Sequence, residues 1–473
     1  MSHQQQGANG PASGSGADVS RGSCAARAAL WLLAPALLLT GALLLFGRGS
    51  RQGLEAEIER IRAAGEPVTV AEALPGPVPD DQNAALIYQR LFRIQMRGGN
   101  LQADSVLTAT GYDGLIWDVA SGTLPPECAR TALNDHIVDW VYGALEKGAR
   151  RPRCVFSFAN DLDAPIPQMS QFRKAARWLA ARARVSSSEG DVDDALRWAR
   201  VGLQMSEHVA DRGSAMDLLV AGPVQAIVMK PLHSAMNRDA PSVGACALTI
   251  SCLRSIDREA ELRRSVLVER AQAMDTYAQW RAAGVPLCST AWYRAIPDPL
   301  PRVLLGEITA RLYTTRMRGP FMDAEEARML VGYRKALEIM DDHTLTPAEE
   351  ASRLKGIVPH MPFSGLIGGM KVDLCAKMAA RIGQYAASLD VLEVALALKA
   401  YKQLHGRYPG SLKELQATLD YKLPDDVFSD APLIYRRVGD GFVVYSIGPD
   451  FDDDGGRESR DWQEGDVVWQ CGR

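Results

Sequence analysis

One apolar segment, residues 28–47, constrains this chain more than any other feature. It reads AALWLLAPALLLTGALLLFG and contains no charged side chain. At ~1.5 Å per residue, a helix of this length crosses a hydrocarbon layer of ~30 Å, and Pro35 and Gly41 are both common in such helices. A cleaved signal peptide is the alternative, but the segment is long for a signal core and no small-x-small cleavage site follows it. We therefore predict one retained transmembrane helix over residues 28–47.

The sequence on either side of this segment differs in character. Residues 1–27 are rich in Gly, Ser and Gln and almost lack large apolar side chains, so we predict a disordered tail. Two arginines precede the apolar segment and four follow it, which by the positive-inside rule favours a cytoplasmic location for the bulk of the chain. An odd number of cysteines beyond the segment favours the same side. The arginines are Arg21, Arg27, Arg48, Arg51, Arg60 and Arg62.

The overall composition argues against several classes of protein. The chain has 53 Lys and Arg against 57 Asp and Glu and no long basic stripe, so we expect no nucleic acid among its partners. Its 47% hydrophobic residues allow sizeable cores, and its length of 473 residues favours about three domains. The eight cysteines include no CxxC pair, which argues against a zinc knuckle or a redox pair.

The middle of the chain, residues 52–366, has mostly helical periodicity and is predicted to be an α-helical domain. Two amphipathic runs are joined by SSSEGD, with Phe172 on the apolar face of the first run and Trp198 and Met205 on that of the second. Gly190 lies in the turn. We predict a helical hairpin that resembles a tetratricopeptide-type unit. The pattern does not recur at a period of about 34 residues, so we do not predict a solenoid.

The last part of the chain, residues 367–473, changes from helical to strand periodicity. The run SLDVLEVALALKAYKQLHG is apolar around nearly its whole circumference, so this helix should be covered on more than one side. LIYRRV and FVVYSI are strand-like runs separated by Gly439, Asp440 and Gly441, which predicts a hairpin, and DVVWQ can add a third strand. We predict a long helix packed on a small antiparallel sheet.

The order of these elements carries several specific landmarks. They are a Gly-x-Tyr-Pro turn at residues 406–409, a Pro-Leu-x-Tyr strand entry at residues 432–435 and a Tyr-Ser-x-Gly-x-Asp segment at residues 445–450. Over roughly the last 85 residues, they resemble the C-terminal globular domain of the major pseudopilin of bacterial type II secretion. The resemblance implies an α+β domain, a loop that binds structural calcium, and a location outside the cytoplasmic membrane, opposite to the one that the arginines favour.

The chain departs from pseudopilins in its N-terminal part. In that family the apolar span runs directly into the long helix, and the subunits polymerise in this way. Here the segment 28–47 ends more than 300 residues before the matching helix, and no leader pattern precedes it. We therefore do not expect fibre assembly by the standard route. What the resemblance carries over is a fold and a metal loop.

The loop after the second strand has the spacing of a calcium site. Asp450, Asp452 and Asp454 alternate, Gly455 follows, and Asp461 comes after five further residues. This order matches the D-x-D-x-D-G-x₅-E calcium loop, except that Asp replaces the final Glu. Calcium takes six to eight oxygen ligands, and carboxylates at alternate positions of a tight turn can converge on one point. We predict a structural calcium ion held by Asp450, Asp452, Asp454 and Asp461.

Two alternatives to this interpretation stay open. The loop is not predicted to be an EF-hand, because a strand and Pro449 flank it where helices would be required. A solvated acidic turn, partly neutralised by Arg457 and Arg460, is the simpler alternative to a metal site. Further ligands are suggested by position or by analogy with the family: Asp453, Glu458, Ser446, the Ile447 carbonyl group and Asp466.

Catalytic motifs are scarce in this sequence. It contains no HExxH, no G-x-S-x-G and no Walker or dinucleotide-binding glycine pattern after a strand. His208 follows Glu207, but a single helical histidine is far more often structural than catalytic. We therefore predict a non-enzymatic, single-pass protein of the cytoplasmic membrane whose bulk faces the periplasm and which binds other envelope proteins. The alternative is an envelope hydrolase with an unrecognised active site in the helical region.

Overall fold

The computed structural model describes most of the chain. It is mainly helical, with a small three-stranded antiparallel sheet near the C-terminal end, which confirms the predicted secondary-structure class. The described residues are 18–97, 100–103, 105–156, 167–283, 318–357, 368–458 and 464–472.

Helix α1 (Asp18–Ala63) runs through the predicted transmembrane segment and continues beyond it. It begins inside the segment predicted as a disordered tail, so residues 18–27 are helical. The side chains of residues 18–37 lie outside the description, and the transmembrane assignment stays a prediction. Among the described residues, one helix is long and apolar enough to cross a membrane, Ala215–Arg238, and 67% of its apolar window is buried inside the fold. A buried core helix meets the same criteria of length and composition as a membrane-spanning helix.

A group of mostly short elements follows α1. Asn83 shapes the turn just before the second of these helices, because the Asn83 Oδ1 atom accepts the Ala85 amide at 3.0 Å. This helix, α3, packs against α7. The elements are α2 (Val70–Ala73), α3 (Ala85–Leu91), a hairpin of β1 (Ile94–Arg97) and β2 (Asn100–Ala103), α4 (Val106–Ala109), α5 (Asp113–Ser121), a 3₁₀ turn (Pro126–Ala129), α6 (Arg130–Leu133) and α7 (His136–Ala149).

Longer helices build the centre of the molecule. In chain order they are α8 (Pro167–Ser188), α9 (Val192–Ala210), α10 (Ala215–Arg238), α11 (Val243–Arg254), α12 (Arg258–Ala283), α13 (Arg318–Met340) and α14 (Pro347–Gly356). Helices α8, α9 and α10 pack on one another, whereas α13 packs on α1 and α12. A separate hydrophobic core around Leu54, Tyr277 and Tyr333 lies where α1, α12 and α13 meet.

Helices α8 and α9 form the predicted helical hairpin. Gly190 turns the chain with a φ of +83°, a conformation that favours glycine. Asp191 then caps α9 by accepting the Asp194 amide at 2.9 Å. Phe172 and Met205 are both buried, as their positions on the apolar faces predict. The hairpin prediction is therefore confirmed.

The long helix α15 (Gly368–His405) joins the helical centre to the C-terminal sheet. After it come the short helix α16 (Leu412–Gln416) and the strands β3 (Ile434–Val438), β4 (Gly441–Ser446) and β5 (Val467–Cys471). The sheet is antiparallel in the order β3-β4-β5, with Val444 opposite both Tyr435 and Trp469. Helix α15 packs on β4 and β5 and also on α10 to α14. The predicted helix on a small sheet is thus confirmed, and it shares its core with the helical region.

The substitution Gly222→Val tests how closely α10 packs on α15. A Cβ at Gly222 would lie only 1.8 Å from the Tyr385 ring. We expect the free energy of unfolding to fall by about 1–3 kcal/mol, as is typical of overpacking, in thermal unfolding followed by circular dichroism. Gly114→Ala is the control and should lose no stability, because a Cβ there meets nothing within 4 Å. A Gly222 variant as stable as the wild type would contradict this packing.

Candidate metal centre

The acidic loop between β4 and β5 is closed at its base by a contact between two glycines. Gly448 has a φ of +76°, and a Cβ on it would lie 2.1 Å from the carbonyl oxygen of Gly465. Both the backbone conformation and the available space therefore require glycine at position 448. Because these two backbones touch, the chain that leaves β4 and the chain that enters β5 are held side by side.

The Asp450 side chain also links the two ends of the loop at its base. Its Oδ2 accepts the Gly465 amide at 2.6 Å, and its Oδ1 accepts the Asp452 amide at 3.3 Å. Phe451 has a φ of +64°, which is unusual for a residue with a side chain. The Phe451 ring packs edge-on against Phe428 at a centroid distance of 5.9 Å. Polar and apolar contacts together hold the first part of the loop.

Asp453 is tied to the sheet below the loop. Its Oδ1 accepts the Tyr445 hydroxyl at 3.0 Å and the Gly455 amide at 2.9 Å. Burial raises the pKa of Tyr445 to about 12, and the hydrogen bond to Asp453 contributes in the same direction. The phenol therefore stays protonated at neutral pH and donates to the carboxylate.

Asp466 closes the loop from the β5 side. One of its carboxylate oxygens accepts the Asp454 amide at 3.3 Å, and the other accepts the amides of Gly456 and Arg457 at 2.7 and 3.2 Å. Burial raises the pKa of Asp466, and these backbone hydrogen bonds oppose the rise. Asp466, which the family resemblance suggested as a late ligand, thus organises the loop backbone through three amides.

The predicted calcium ligands that the structure describes share one turn but are not arranged there as a set of metal ligands. Asp450 is bound to the base of the loop, Asp452 is exposed and Asp454 is half-buried. Asp461 lies outside the described residues. Over the ranges that the structure describes, no three or more His, Cys, Asp or Glu side chains are arranged as a metal site. The calcium site of Asp450, Asp452, Asp454 and Asp461 stays a prediction.

A buried carboxylate beneath the loop, Asp426, was not predicted as a site residue. It accepts the Ser446 hydroxyl at 2.6 Å and the amides of Ile447 and Phe428, both at 3.0 Å. Ser446, suggested above as a ligand, therefore donates to Asp426. An aspartate that accepts an amide two residues later is a recognisable turn pattern. Its contact with Ser446, twenty residues away, is not readable from sequence.

Two further carboxyl groups lie on α15, Asp390 and Glu393, and Asp390 is within electrostatic reach of Asp426. Burial raises the pKa of Asp390 to about 7, and the charges of Glu393 and Asp426 add to the rise. Burial also raises the pKa of Glu393 to about 7, although Arg254 opposes it across a distance of 3.4 Å. The core beneath the acidic loop therefore contains groups that titrate near neutral pH.

Comparisons with known proteins assign no family to the chain. No family model matches it, and neither a curated protein nor a solved structure matches it. The resemblance of the C-terminal region to the pseudopilin domain therefore rests on its sequence landmarks and on the order of its elements.

The raised pKa of Asp390 predicts how stability depends on pH. The folded-state pKa of about 7 lies above the ordinary value of 3.8, so the folded chain holds this proton more tightly than the unfolded chain. The resulting stability is complete below the ordinary pKa and is lost as the pH rises through 7. Asn at position 390 cannot ionise. We therefore compare the free energy of unfolding of Asp390→Asn with that of the wild type at two pH values. The difference should favour the variant by about 1–3 kcal/mol more at about pH 8 than at about pH 5.

Thermal unfolding of both proteins at the two pH values measures this effect. Glu393 titrates in the same range, so the difference between variant and wild type is the relevant quantity. Asp420→Asn removes an exposed carboxylate and serves as the matched control, for which we expect no such pH dependence. An equal effect of Asp390→Asn at both pH values would contradict a half-buried, proton-binding carboxyl group at this position.

Proposed function

We propose that this chain is a membrane-anchored, non-enzymatic envelope protein whose C-terminal domain is similar to the major pseudopilin of type II secretion. In this proposal it crosses the cytoplasmic membrane once, at residues 28–47, and its bulk faces the periplasm. It acts in assembly or in protein–protein interaction, and calcium stabilises its C-terminal domain. The observation that carries the proposal is the packing of α15 on the three-stranded sheet, with the family landmarks at their junction.

Two landmarks that are separate in the sequence are in contact. The Tyr435 hydroxyl donates to the Pro409 carbonyl oxygen at 2.8 Å, which joins the strand entry to the Gly-x-Tyr-Pro turn. The Tyr408 ring in the same turn packs edge-on against Phe442 of β4 at a centroid distance of 4.9 Å. Gly406 ends α15 with a φ of +73°. This shared structural role supports the interpretation of the landmarks as one domain motif.

Two titratable groups of the helical region with shifted pKa values, Glu207 and His208, have structural partners. Glu207 lies 2.9 Å from the buried Arg258 guanidinium. The two ring nitrogens of His208 contact the Arg151 carbonyl oxygen at 2.7 Å and the Tyr88 hydroxyl at 3.0 Å. Burial lowers the pKa of His208 to about 4, so it is neutral at pH 7. These groups join packed helices and line neither the groove between α3 and α7 nor the one between α11 and α15. Within the described part of the helical region, Glu207 and His208 therefore do not favour the hydrolase alternative.

Two properties of the acidic loop support the proposal of a stabilising cation: its negative charge and the backbone contact that closes its base. Clustered carboxylates repel one another, and a divalent cation that binds only the folded form stabilises it. Each of the two carboxylate oxygens of Asp450 accepts one backbone amide. Because a carboxylate has about four lone-pair sites, Asp450 can still bind a cation. Asp452 and Asp454, with Asp461, would supply the remaining carboxylates.

Thermal unfolding of the detergent-solubilised full chain tests the calcium part of this proposal. The full chain is required because α15 shares its core with the helical region. We expect calcium to raise Tm by roughly 2–5 °C over chelator, with a smaller effect of magnesium, which demands stricter octahedral geometry. The double variant Asp452→Asn and Asp454→Asn should lose this shift.

Asp440→Asn is the matched control, because Asp440 is an exposed carboxylate in the β3–β4 turn. This variant should show the same calcium-induced rise in Tm as the wild type. The absence of a shift in the wild type, or equal shifts with calcium and magnesium, would remove the specific calcium site and leave a solvated acidic turn.

Alkaline phosphatase fusions test the membrane part of the proposal. We expect activity for fusions after Ala63 and after the last residue of the chain, since the enzyme folds actively only outside the cytoplasm. Deletion of residues 28–47 should abolish the activity of both. Inactive fusions at both positions in an intact, membrane-bound protein would place the bulk of the chain inside the cell.

A further inference from the structure

A groove of about 640 Å³ lies between α3 and α7, far along the chain from the acidic loop. Ile87 and Arg90 line it from α3, and Trp140, Gly143 and Lys147 line it from α7. The residues on α7 recur at helical spacing of three and four, so they form one continuous face of that helix. Neither the acidic loop between β4 and β5 nor the three-stranded sheet contributes a residue to this groove.

The groove is positively charged. Four cationic side chains line it, Arg90, Lys147, Arg150 and Arg151, against the two carboxylates of Asp139 and Glu146. Of these carboxylates, Glu146 is already paired. It accepts hydrogen bonds from Arg150 at 3.0 Å and from Arg197, outside the groove, at 2.8 Å.

The pairing of Glu146 affects its protonation. Burial raises the pKa of Glu146, but the hydrogen bonds and charges of Arg197 and Arg150 outweigh this effect and lower it. Glu146 is therefore an ionised partner in a salt bridge. Lys147 has no ion-pair partner within the described ranges, and neither does the Arg151 side chain. Their charges are left to attract an anion.

The same face also carries exposed apolar side chains. Trp140 is 51% exposed, Ile137 one turn earlier on α7 is 53% exposed, and Leu86 on α3 is 37% exposed. Single exposed apolar residues are ordinary, but here an indole and two aliphatic side chains lie on the two helices that bound a cationic groove. Exposed aromatic side chains next to arginines are typical of protein-binding surfaces.

Gly143 lines the groove, and packing against the described residues does not require glycine there. It lies in the middle of α7, where glycine costs roughly 0.5–1 kcal/mol relative to alanine. A Cβ there would meet nothing within 4 Å, whereas a Cβ at Gly148 on the same helix would lie 2.7 Å from the Tyr88 ring. Packing therefore explains Gly148 but not Gly143. The missing side chain at 143 deepens the groove instead.

We propose that the groove between α3 and α7 binds an acidic segment of a partner protein. An apolar side chain of the partner lies over Gly143 against Trp140, and its carboxylates pair with Arg90, Lys147 and Arg151. A protein partner fits better than a small ligand, because Ile137 and Leu86 extend the apolar surface beyond the groove lining. This inference rests on the proposed role in protein–protein interaction and adds the chemistry of the partner.

A fluorescein-labelled peptide tests the proposal. The probe is a twelve-residue peptide with two phenylalanines flanked by glutamates, and fluorescence anisotropy measures its binding to the detergent-solubilised full chain. We expect saturable binding that weakens with salt. We expect at least about a tenfold loss, equal to about 1.4 kcal/mol, for Lys147→Glu and for Trp140→Ser. Gly143→Leu should fill the groove and reduce binding similarly, although leucine is the better helix former.

Lys230→Glu is the matched control, because it makes the same charge change at an exposed position of α10 outside the groove. It should bind the peptide almost as well as wild type, and circular dichroism should show all variants folded. A peptide with glutamine in place of glutamate should bind at least about tenfold more weakly.

Three results would overturn the proposal. They are no binding to wild type, equal binding of the glutamine peptide, or wild-type affinity in all three groove variants. Binding of anionic phosphatidylglycerol vesicles that depends on Lys147 and Trp140, without peptide binding, would instead assign the groove to a lipid surface. None of these results bears on the calcium shift or the fusion activities. Failure of the groove is therefore distinguishable from failure of the proposed function.

Discussion

The structure depends on the burial of α15 on more than one side. Leu389, Leu392 and Leu396 are buried on one face of this helix, and Val391 and Val394 are buried on another. A helix that is apolar around its circumference gains its stability from being enclosed, because any exposed face would leave apolar surface in water. Here α10 to α14 cover part of it, and β4 and β5 cover another part. The helical region and the C-terminal sheet consequently stabilise each other.

This shared core determines how the acidic loop is held. All six residues of β4 are buried, and the loop begins directly after the strand, so its base is anchored on a rigid element. Asp450 and Asp466 accept backbone amides, and these hydrogen bonds shape the turn. A cation in this loop would add to a preformed turn, which limits its effect to stabilisation. Chemistry at this position would need further groups from outside the loop.

The sequence allowed the helical hairpin, the long helix and the strands to be predicted, because periodicity and turn residues are local properties. Gly190 and Gly439 mark turns that the structure contains. The roles of Asp426 and Asp390 were not predictable, because they depend on contacts between residues far apart in the chain. The start of α3 shows the same limit. Asn83 accepts the Ala85 amide in the turn before this helix and also the Val155 amide, which links the turn to a distant segment.

The two charged surfaces raise the question of whether a second copy of this chain could fill the groove between α3 and α7. The acidic loop would supply the carboxylates. Among the loop residues that the structure describes, Phe451 is the aromatic side chain that could fill the pocket over Gly143, whereas Trp462 lies outside the described residues. Phe451 is half-buried and packs against Phe428, so it is committed to its own domain. The described part of the loop in a second copy would therefore offer charge without the apolar contact, which favours a different protein as the partner.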